Sequence, residues 1–492
     1  MDQTTTRRKF LQAGTTLVAA AAAGAQPLSA LASAPVDELG FLAAVDLAAM
    51  LRNKEIGSEE LARYFIARIE QYDKKLNAIV VRDFDRALEA ARRADSLMAK
   101  GQIAGPLHGL PMTIKESYDI AGLPTTWGIP EAAQNIASAD SAVVERFKSA
   151  GALFLGKTNV PLNLGDFQSF NDIYGTTNNP WDLTRTPGGS SGGSAAALAA
   201  GLTGLESGSD IGGSIRNPAH FCGVYGHKPT LGIVSSRGHQ PPGVPANPQH
   251  PDLAVVGPMA RSADDLSMAL DVVAGAHRLM SPGWRLELPE PRMQSLKGLR
   301  VALWPDDTMA PVSQEIVERI DLIGTQLSSL GAKVSDSARP GFAAKAAHET
   351  YLGILDGMTT GAASKLSFFD YQRLDGHRGG LRLAWQNFFK QWDVLICPTA
   401  ATPAFKQDQG TLGTRTIPVN GEQRPYFEQV FWAGLATLSY LPSTVFPSGL
   451  SKAGLPIGLQ AIGAEFSDRT TIEFARLMAQ EFGGYQPPPG YR

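Results

Sequence analysis

The stretches RTPGGSSGGSAAALAAG at residues 185–201 and ESGSDIGGSIRNPAHFCGVYGHKPT at residues 206–230 decide how this chain is interpreted. In each stretch paired glycines precede a serine, Ser190 in the first and Ser214 in the second. Glycine has no Cβ, so the backbone N–H groups beside it are unshielded and can converge on a developing oxyanion. This arrangement around Ser214 makes Ser214 a candidate nucleophile.

A third stretch, GPLHGLPMTIKESYDIAGLPTTWG at residues 105–128, contributes a lysine. Lys115 ends an apolar run that predicts a strand, so we expect its amine to point toward the interior. Burial lowers the pKa of an amine because desolvation disfavours the cation. A neutral lysine can then act as the base for a serine nucleophile. Together the three stretches supply a candidate lysine base and a candidate serine nucleophile.

Apolar runs and helical patterns alternate along the rest of the chain. The strand-like runs are residues 112–114, 152–155, 299–304, 393–397 and 457–462. The helical patterns begin at Ser58, cover residues 84–100, and follow the predicted capping residues Ser262 and Asp468. This alternation predicts an α/β fold with a mixed, mostly buried sheet flanked by helices. Because no stretch clearly divides independent units, we expect one large domain over residues 40–490.

The composition argues against several kinds of protein. The 492 residues carry 44 Lys and Arg against 47 Asp and Glu, a formal net charge of −3, and form no basic stripe. We therefore do not expect a nucleic acid as a main partner. Cys222 and Cys397 are too few for a disulfide framework or a cysteine-based zinc site. The eight histidines lack the H-E-x-x-H spacing, so the sequence predicts neither a metal nor a cofactor.

The N-terminus has the pattern of an export signal. Arg7 and Arg8 precede an Ala-rich, weakly apolar run, and small residues follow at 30–32. This order is typical of a twin-arginine signal peptide, with a Sec-type signal or an ordinary basic start as the alternatives. We expect the signal over residues 1–32, with cleavage between residues 25 and 34. The expected location is therefore the periplasm or the medium, and the expected partner of the precursor is the twin-arginine export machinery. No stable membrane anchor is expected.

Two matches to other enzyme motifs lack the context that those motifs require. Residues 151–158, GALFLGKT, fit the phosphate-binding pattern G-x-x-x-x-G-K-T, but the four middle residues are apolar and predict a buried strand. Residues 188–192, GGSSG, fit the nucleophile elbow G-x-S-x-G. The elbow needs a strand before it, and residues 178–187, NNPWDLTRTP, predict a loop. Neither nucleotide binding nor an elbow is therefore expected.

The three stretches quoted first resemble the amidase signature family, and the resemblance extends over essentially the whole chain after the export signal. Its most specific part is GGSSGGS, DIGGSIRNPA and CGVYGHKPT within residues 188–230. The resemblance implies a catalytic triad of Lys115, Ser190 and Ser214, with Ser214 as nucleophile and Ser190 held in a cis peptide. Glu116, where many relatives have Asp, is a small departure that other relatives share.

The resemblance also implies roles for residues around the triad. Supporting roles fall on Ser191, Asp210 and Arg216. The implied oxyanion hole and substrate contacts are the backbone groups of Ile211, Gly212, Gly213 and Ser214, and the carbonyl of Leu164.

We therefore expect an enzyme that hydrolyses C–N bonds of small carboxylic amides through an acyl-enzyme, with carbamates, anilides and esters as further substrates. Two alternatives stay open. One is a glutamine-hydrolysing subunit of a tRNA amidotransferase, whose cytosolic partners conflict with an export signal. The other is a catalytically idle binding protein on the same scaffold. The sequence leaves the individual substrate open, and a homodimer is possible.

Overall fold

An eight-stranded mixed sheet forms the centre of the protein. Its strands are β6 (Glu206–Asp210), β7 (Tyr225–Lys228), β8 (Val255–Ala260), β9 (Arg300–Leu303), β10 (Lys333–Ser335), β11 (Val394–Pro398), β14 (Ser443–Leu450) and β15 (Pro456–Ile462). Their order across the sheet is β10-β9-β11-β15-β14-β7-β8-β6. Neighbours are parallel from β10 through β9 to β11, and antiparallel from β11 to β6. Most of these strands are buried on both faces, because helices cover the sheet.

The computed structural model describes residues 36–248, 250–359 and 364–492. Within it, Leu39–Arg492 forms one compact unit. The predicted signal over residues 1–32 lies outside the described residues, so it stays a prediction, as do the domain bounds of 40–490.

Three small sheets accompany the large one. Their strands are β1 (Ile79–Arg82), β2 (Pro111–Lys115), β3 (Leu153–Thr158), β4 (Phe170–Asn171), β5 (Gly175–Thr176), β12 (Thr416–Val419) and β13 (Glu422–Pro425). The first sheet has the order β1-β3-β2, and the other two are the hairpins β4-β5 and β12-β13. The backbone N–H of Thr113 in β2 donates to the carbonyl of Leu205 at 3.3 Å, so β2 lies next to the start of β6.

Helices cover both larger sheets and supply much of the core. They are α1 (Ala44–Arg52), α2 (Ser58–Leu76), α3 (Phe84–Ala99), α4 (Ala142–Ser149), α5 (Gly192–Ala199), α6 (Arg216–Cys222), α7 (Ala263–Val273), α8 (Gln314–Ser329), α9 (Ala344–Thr359), α10 (Phe368–Phe388), α11 (Val430–Thr437) and α12 (Asp468–Phe482). The prediction of an α/β fold with a mostly buried mixed sheet is confirmed, and each predicted strand-like run forms a strand.

The start of α7 is formed as its sequence predicts. The Ser262 hydroxyl accepts the N–H of Asp265 at 3.0 Å, which satisfies one of the unpaired donors of the first turn.

The start of α12 differs from the prediction, because Asp468 is the first helical residue and not the cap. Its carboxylate is fully buried and accepts hydrogen bonds from His227 at 3.1 Å and from the Thr230 N–H at 2.8 Å. The side chain therefore ties the helix to β7, and the cap prediction for Asp468 was wrong.

Candidate active site

Lys115 ends β2 in the interior, where its side chain is fully buried. Its Nζ donates hydrogen bonds to Ser190 Oγ at 2.6 Å and to Ser209 Oγ at 2.9 Å. Burial lowers the pKa of Lys115 to about 7, although the nearby carboxylates, Asp210 foremost, act in the opposite direction. A large fraction of this amine is therefore neutral near neutral pH and able to accept a proton.

Ser190 follows a cis peptide bond between Gly189 and Ser190. The N–H of Gly189 donates to Asn217 Oδ1 at 3.2 Å. A Cβ at position 189 would lie 2.3 Å from the carbonyl oxygen of Asp166, so only glycine allows this close approach. The loop is thus held from two sides, and Ser190 Oγ faces the amine of Lys115.

Asp210 and Arg216 form a buried ion pair beside the second serine. The Arg216 guanidinium donates to both Asp210 carboxylate oxygens, at 3.0 and 2.8 Å. Burial alone would raise the pKa of Asp210, but Arg216 and the backbone donors outweigh it and hold that pKa at about 2. Arg216 also donates to Thr437 Oγ1 and Gln460 Oε1, so the pair joins the loop after β6 to α11 and β15.

Ser214 lies in the loop between β6 and α6, and its side chain is buried. Its carbonyl oxygen accepts the N–H of Ser191 at 3.1 Å, which joins the two serine loops directly. The structure therefore brings Lys115, Ser190 and the Ser214 loop together, as the sequence predicts. Their catalytic roles stay predictions.

The four predicted oxyanion donors are not equivalent. The N–H of Gly213 donates to Asp210 Oδ1 at 2.9 Å and is therefore occupied. Among the described residues, the N–H groups of Ile211, Gly212 and Ser214 have no hydrogen-bond partner. The prediction of an oxyanion hole now rests on these three groups.

Leu164 belongs to a short turn, Leu162–Leu164, with a positive φ of 56°. It is half-buried. Two residues later, the backbone of Asp166 packs against Gly189. The segment that follows this turn therefore contacts the Ser190 loop. The predicted substrate contact of the Leu164 carbonyl stays a prediction.

Ser209 is a site residue that the sequence reasoning missed. It lies on β6, next to Asp210, and accepts a hydrogen bond from Lys115. A signal was present, because Ser207 and Ser209 are polar residues alternating within a buried strand. Nothing local showed that this strand would lie beside Lys115, which is 94 positions away in the chain.

The two misleading motifs behave as expected. Residues Leu153–Thr158 form β3, and Lys157 is fully buried against Pro124 and Thr125. Residues 178–187 form turns with isolated bridges and no strand. Cys222 and Cys397 are both buried and free.

Two kinds of feature are absent from the described part of the chain. It holds no group of three or more His, Cys, Asp or Glu side chains that could bind a metal ion. In the same residues, no helix has both the length and the apolar character needed to cross a membrane.

Comparison with known families and relatives identifies the class of protein. The sequence model of the Amidase family matches residues 60–359 and 342–472. The chain belongs to the amidase signature family, a class of hydrolases that act on amide C–N bonds.

Relatives in this family include enzymes of two kinds. The acylamidase of Rhodococcus erythropolis is 32% identical over 465 residues, covering 89% of this chain and 94% of that protein. A glutamyl-tRNA(Gln) amidotransferase subunit from Moorella thermoacetica is 32% identical over 489 residues, covering 90% of this chain and 97% of that protein.

A solved structure confirms the fold. A bacterial aryl acylamidase of the amidase signature family superposes with a TM-score of 0.79 at 25% identity, covering 92% of this chain and 97% of that chain.

Proposed function

We propose that this protein is an exported serine hydrolase that cleaves carboxylic amides, with Ser214 as nucleophile and Lys115 and Ser190 as a proton relay. The observation that carries the proposal is the 2.6 Å hydrogen bond between the buried Lys115 amine and Ser190 Oγ, beside the Ser214 loop. A buried amine with a pKa of about 7 suits a general base at neutral pH.

In the proposed reaction, neutral Lys115 takes the proton of Ser190 Oγ as Ser190 takes the proton of Ser214 Oγ. Ser214 attacks the substrate carbonyl, and the oxyanion accepts hydrogen bonds from the free backbone N–H groups of Ile211, Gly212 and Ser214. The proton returns through Ser190 to the leaving nitrogen as the C–N bond breaks. Water then hydrolyses the acyl-enzyme by the same relay.

The proposed substrates are small acyl amides, anilides, carbamates and esters that occur outside the cytoplasm. Similarity to the acylamidase of Rhodococcus erythropolis supports an acyl amide. The Arg7-Arg8 pair supports export to the periplasm or the medium. Replacing both arginines with lysine should leave the precursor in the cytoplasm, and normal export of that double variant would contradict the proposed location.

A fluorophosphonate probe tests the nucleophile without knowledge of the substrate. It should label Ser214 in the wild type, and Ser214→Ala should lose both labelling and turnover of every substrate while keeping its thermal midpoint. A panel of primary amides, 4-nitroanilides, carbamates and 4-nitrophenyl esters then identifies the preferred bond. Labelling of Ser190 or Ser191 would contradict the proposal and support a nucleophile elbow.

A second candidate is an amidotransferase subunit that hydrolyses glutamine. The observation in its favour is 32% identity to the Moorella thermoacetica amidotransferase subunit over 90% of this chain. Glutamine hydrolysis that exceeds every other activity of the purified chain, together with a cytoplasmic location of the mature protein, would favour this candidate.

A further inference from the structure

Tyr351 reaches the loop between β6 and α6 from helix α9. Its hydroxyl donates a 2.8 Å hydrogen bond to the carbonyl oxygen of Ile211, which lies 140 positions away in the chain. The side chain is fully buried, and burial raises the pKa of Tyr351 well above its usual value. The hydroxyl therefore keeps its proton and stays a hydrogen-bond donor in the neutral and moderately alkaline range.

The acceptor of this bond matters because of peptide geometry. The carbonyl of Ile211 and the N–H of Gly212 belong to one peptide unit, and in a trans peptide these groups point in opposite directions. A donor that fixes the carbonyl therefore also fixes the direction of the N–H on the other side. A hydrogen bond to the carbonyl further polarises the unit and strengthens the N–H as a donor.

In the described chain, the Tyr351 bond is the hydrogen bond that this peptide unit makes. Asp210 holds the next part of the loop, through the N–H groups of Gly213 and Ile215. Among the described residues, the Ile211 carbonyl accepts its hydrogen bond from Tyr351, and the Gly212 N–H has no hydrogen-bond partner. Glycine also has wide conformational freedom, so the Gly212 N–H depends on an external contact for its direction.

The ring of Tyr351 is itself held in place. A Cβ on Gly434 of α11 would lie 2.6 Å from Tyr351 Cδ1, so the ring lies directly on the backbone of that helix. The ring of His348, one turn earlier on α9, is 6.4 Å away. The hydroxyl therefore acts from a fixed position, which a positioning group requires.

We infer that Tyr351 is a positioning residue that, through the Ile211 carbonyl, aims the Gly212 N–H at the oxyanion of the substrate. This inference rests on the proposed function, because it assigns Tyr351 a part in the oxyanion hole of that reaction. Tyr351 itself does not touch the substrate.

Tyr351→Phe removes only the hydroxyl, and Tyr371→Phe is the matched control. Tyr371 on α10 also donates its hydroxyl, but to the half-buried carboxylate of Asp252, with Oδ2 at 2.8 Å, and not to the loop. The measurements are the second-order rate of labelling by a fluorophosphonate, kcat and KM for 4-nitrophenyl acetate, the pH midpoint of kcat, and the thermal midpoint.

Tyr351→Phe should lower the labelling rate and kcat about tenfold, less than the 10²–10³-fold cost of removing an oxyanion donor outright, because the N–H is misdirected but still present. KM should change less than twofold. The pH midpoint of kcat should not move, because it reports the pKa of Lys115. Tyr371→Phe should change neither rate.

Three outcomes are distinguishable. An unlabelled, inactive wild type contradicts the proposed function itself. A labelled wild type with an equally reactive Tyr351→Phe variant overturns only the role of Tyr351. An equal loss of rate in both tyrosine variants also overturns that role, because the effect would then follow from loosening of the helices and not from the Ile211 bond.

Discussion

Two buried lysines on neighbouring strands, Lys115 and Lys157, have similar surroundings but different hydrogen-bond partners. Lys115 ends β2 and Lys157 lies next to the end of β3, and these strands are parallel. Both side chains are fully buried. Burial lowers the pKa of Lys115 to about 7 and that of Lys157 to about 8. Burial and pKa alone therefore do not separate the proposed base, Lys115, from Lys157.

The partners of the two amines differ. Lys115 donates to the hydroxyls of Ser190 and Ser209. Lys157 donates to the backbone carbonyl of Pro124 and to a threonine hydroxyl, and so holds the loop after β2. Serine and threonine hydroxyls both donate and accept, so either can pass a proton on. Thr125 Oγ1, however, donates to the backbone carbonyl of Tyr118, which only accepts, whereas the Ser190 loop is joined to the Ser214 loop. A buried base therefore also needs a partner that is able to relay its proton to the nucleophile.

Lys115→Ala should interrupt the relay and have the largest effect. Amide hydrolysis should fall about 10²–10⁴-fold, the usual contribution of general acid–base catalysis. Ester hydrolysis should fall less, because an alkoxide leaves with less help from a proton donor than an amine does. The measurement is kcat/KM for an anilide and an ester of the same acyl group. Near-wild-type anilide turnover would show that Lys115 is not the base.

The pH dependence of the wild type should follow Lys115. The base acts when neutral, and its pKa is lowered from 10.5 to about 7. Activity should therefore rise with pH through about 7, with kcat increasing about tenfold between pH 6 and 8. A rise centred near 10, as for an exposed lysine, would contradict the assignment.

Ser209→Ala should have a smaller effect, on the pKa of Lys115. The Ser209 hydroxyl accepts a hydrogen bond that stabilises the Lys115 cation, so its loss should lower that pKa further. The midpoint of the pH profile should move about half to one unit toward acid. Ser207→Ala is the matched control, because Ser207 lies on the same strand and its hydroxyl bonds Tyr118 and Gly257 instead of Lys115; it should leave the midpoint in place.

Lys157→Met should have the smallest effect on catalysis. The variant removes the donor to Pro124 and Thr125, so the free energy of unfolding should fall by about 1–3 kcal/mol, the cost of an unpaired buried polar group. The pH midpoint of the activity should not move. A shift of that midpoint in Lys157→Met, measured beside Lys115→Ala, would show that the two lysines are not separate in function.

Much of the fold could be predicted because its signals are local. The apolar run before Lys115 predicts β2, and the Ser262 to Asp265 spacing predicts the start of α7. Asp468 shows the limit of this reasoning. A carboxylate before a helical pattern is typical of a cap, but here a buried contact with His227 and Thr230 directs it into the core. Tertiary contacts outweigh the local preference because they bury the whole side chain.

The amino-acid sequence alone was enough for the family motifs, the buried lysine and the two serine loops, since glycine pairs, strand patterns and spacing are properties of short segments. Tertiary packing decided which side chains and backbone groups form hydrogen bonds in the site. That packing placed Ser209 on Lys115, occupied the Gly213 N–H with Asp210, and brought Tyr351 to the Ile211 carbonyl. The physical reason is that such contacts depend on how strands and helices pack across many tens of residues, and hydrogen bonds of about 3 Å form only where that packing aligns donor and acceptor.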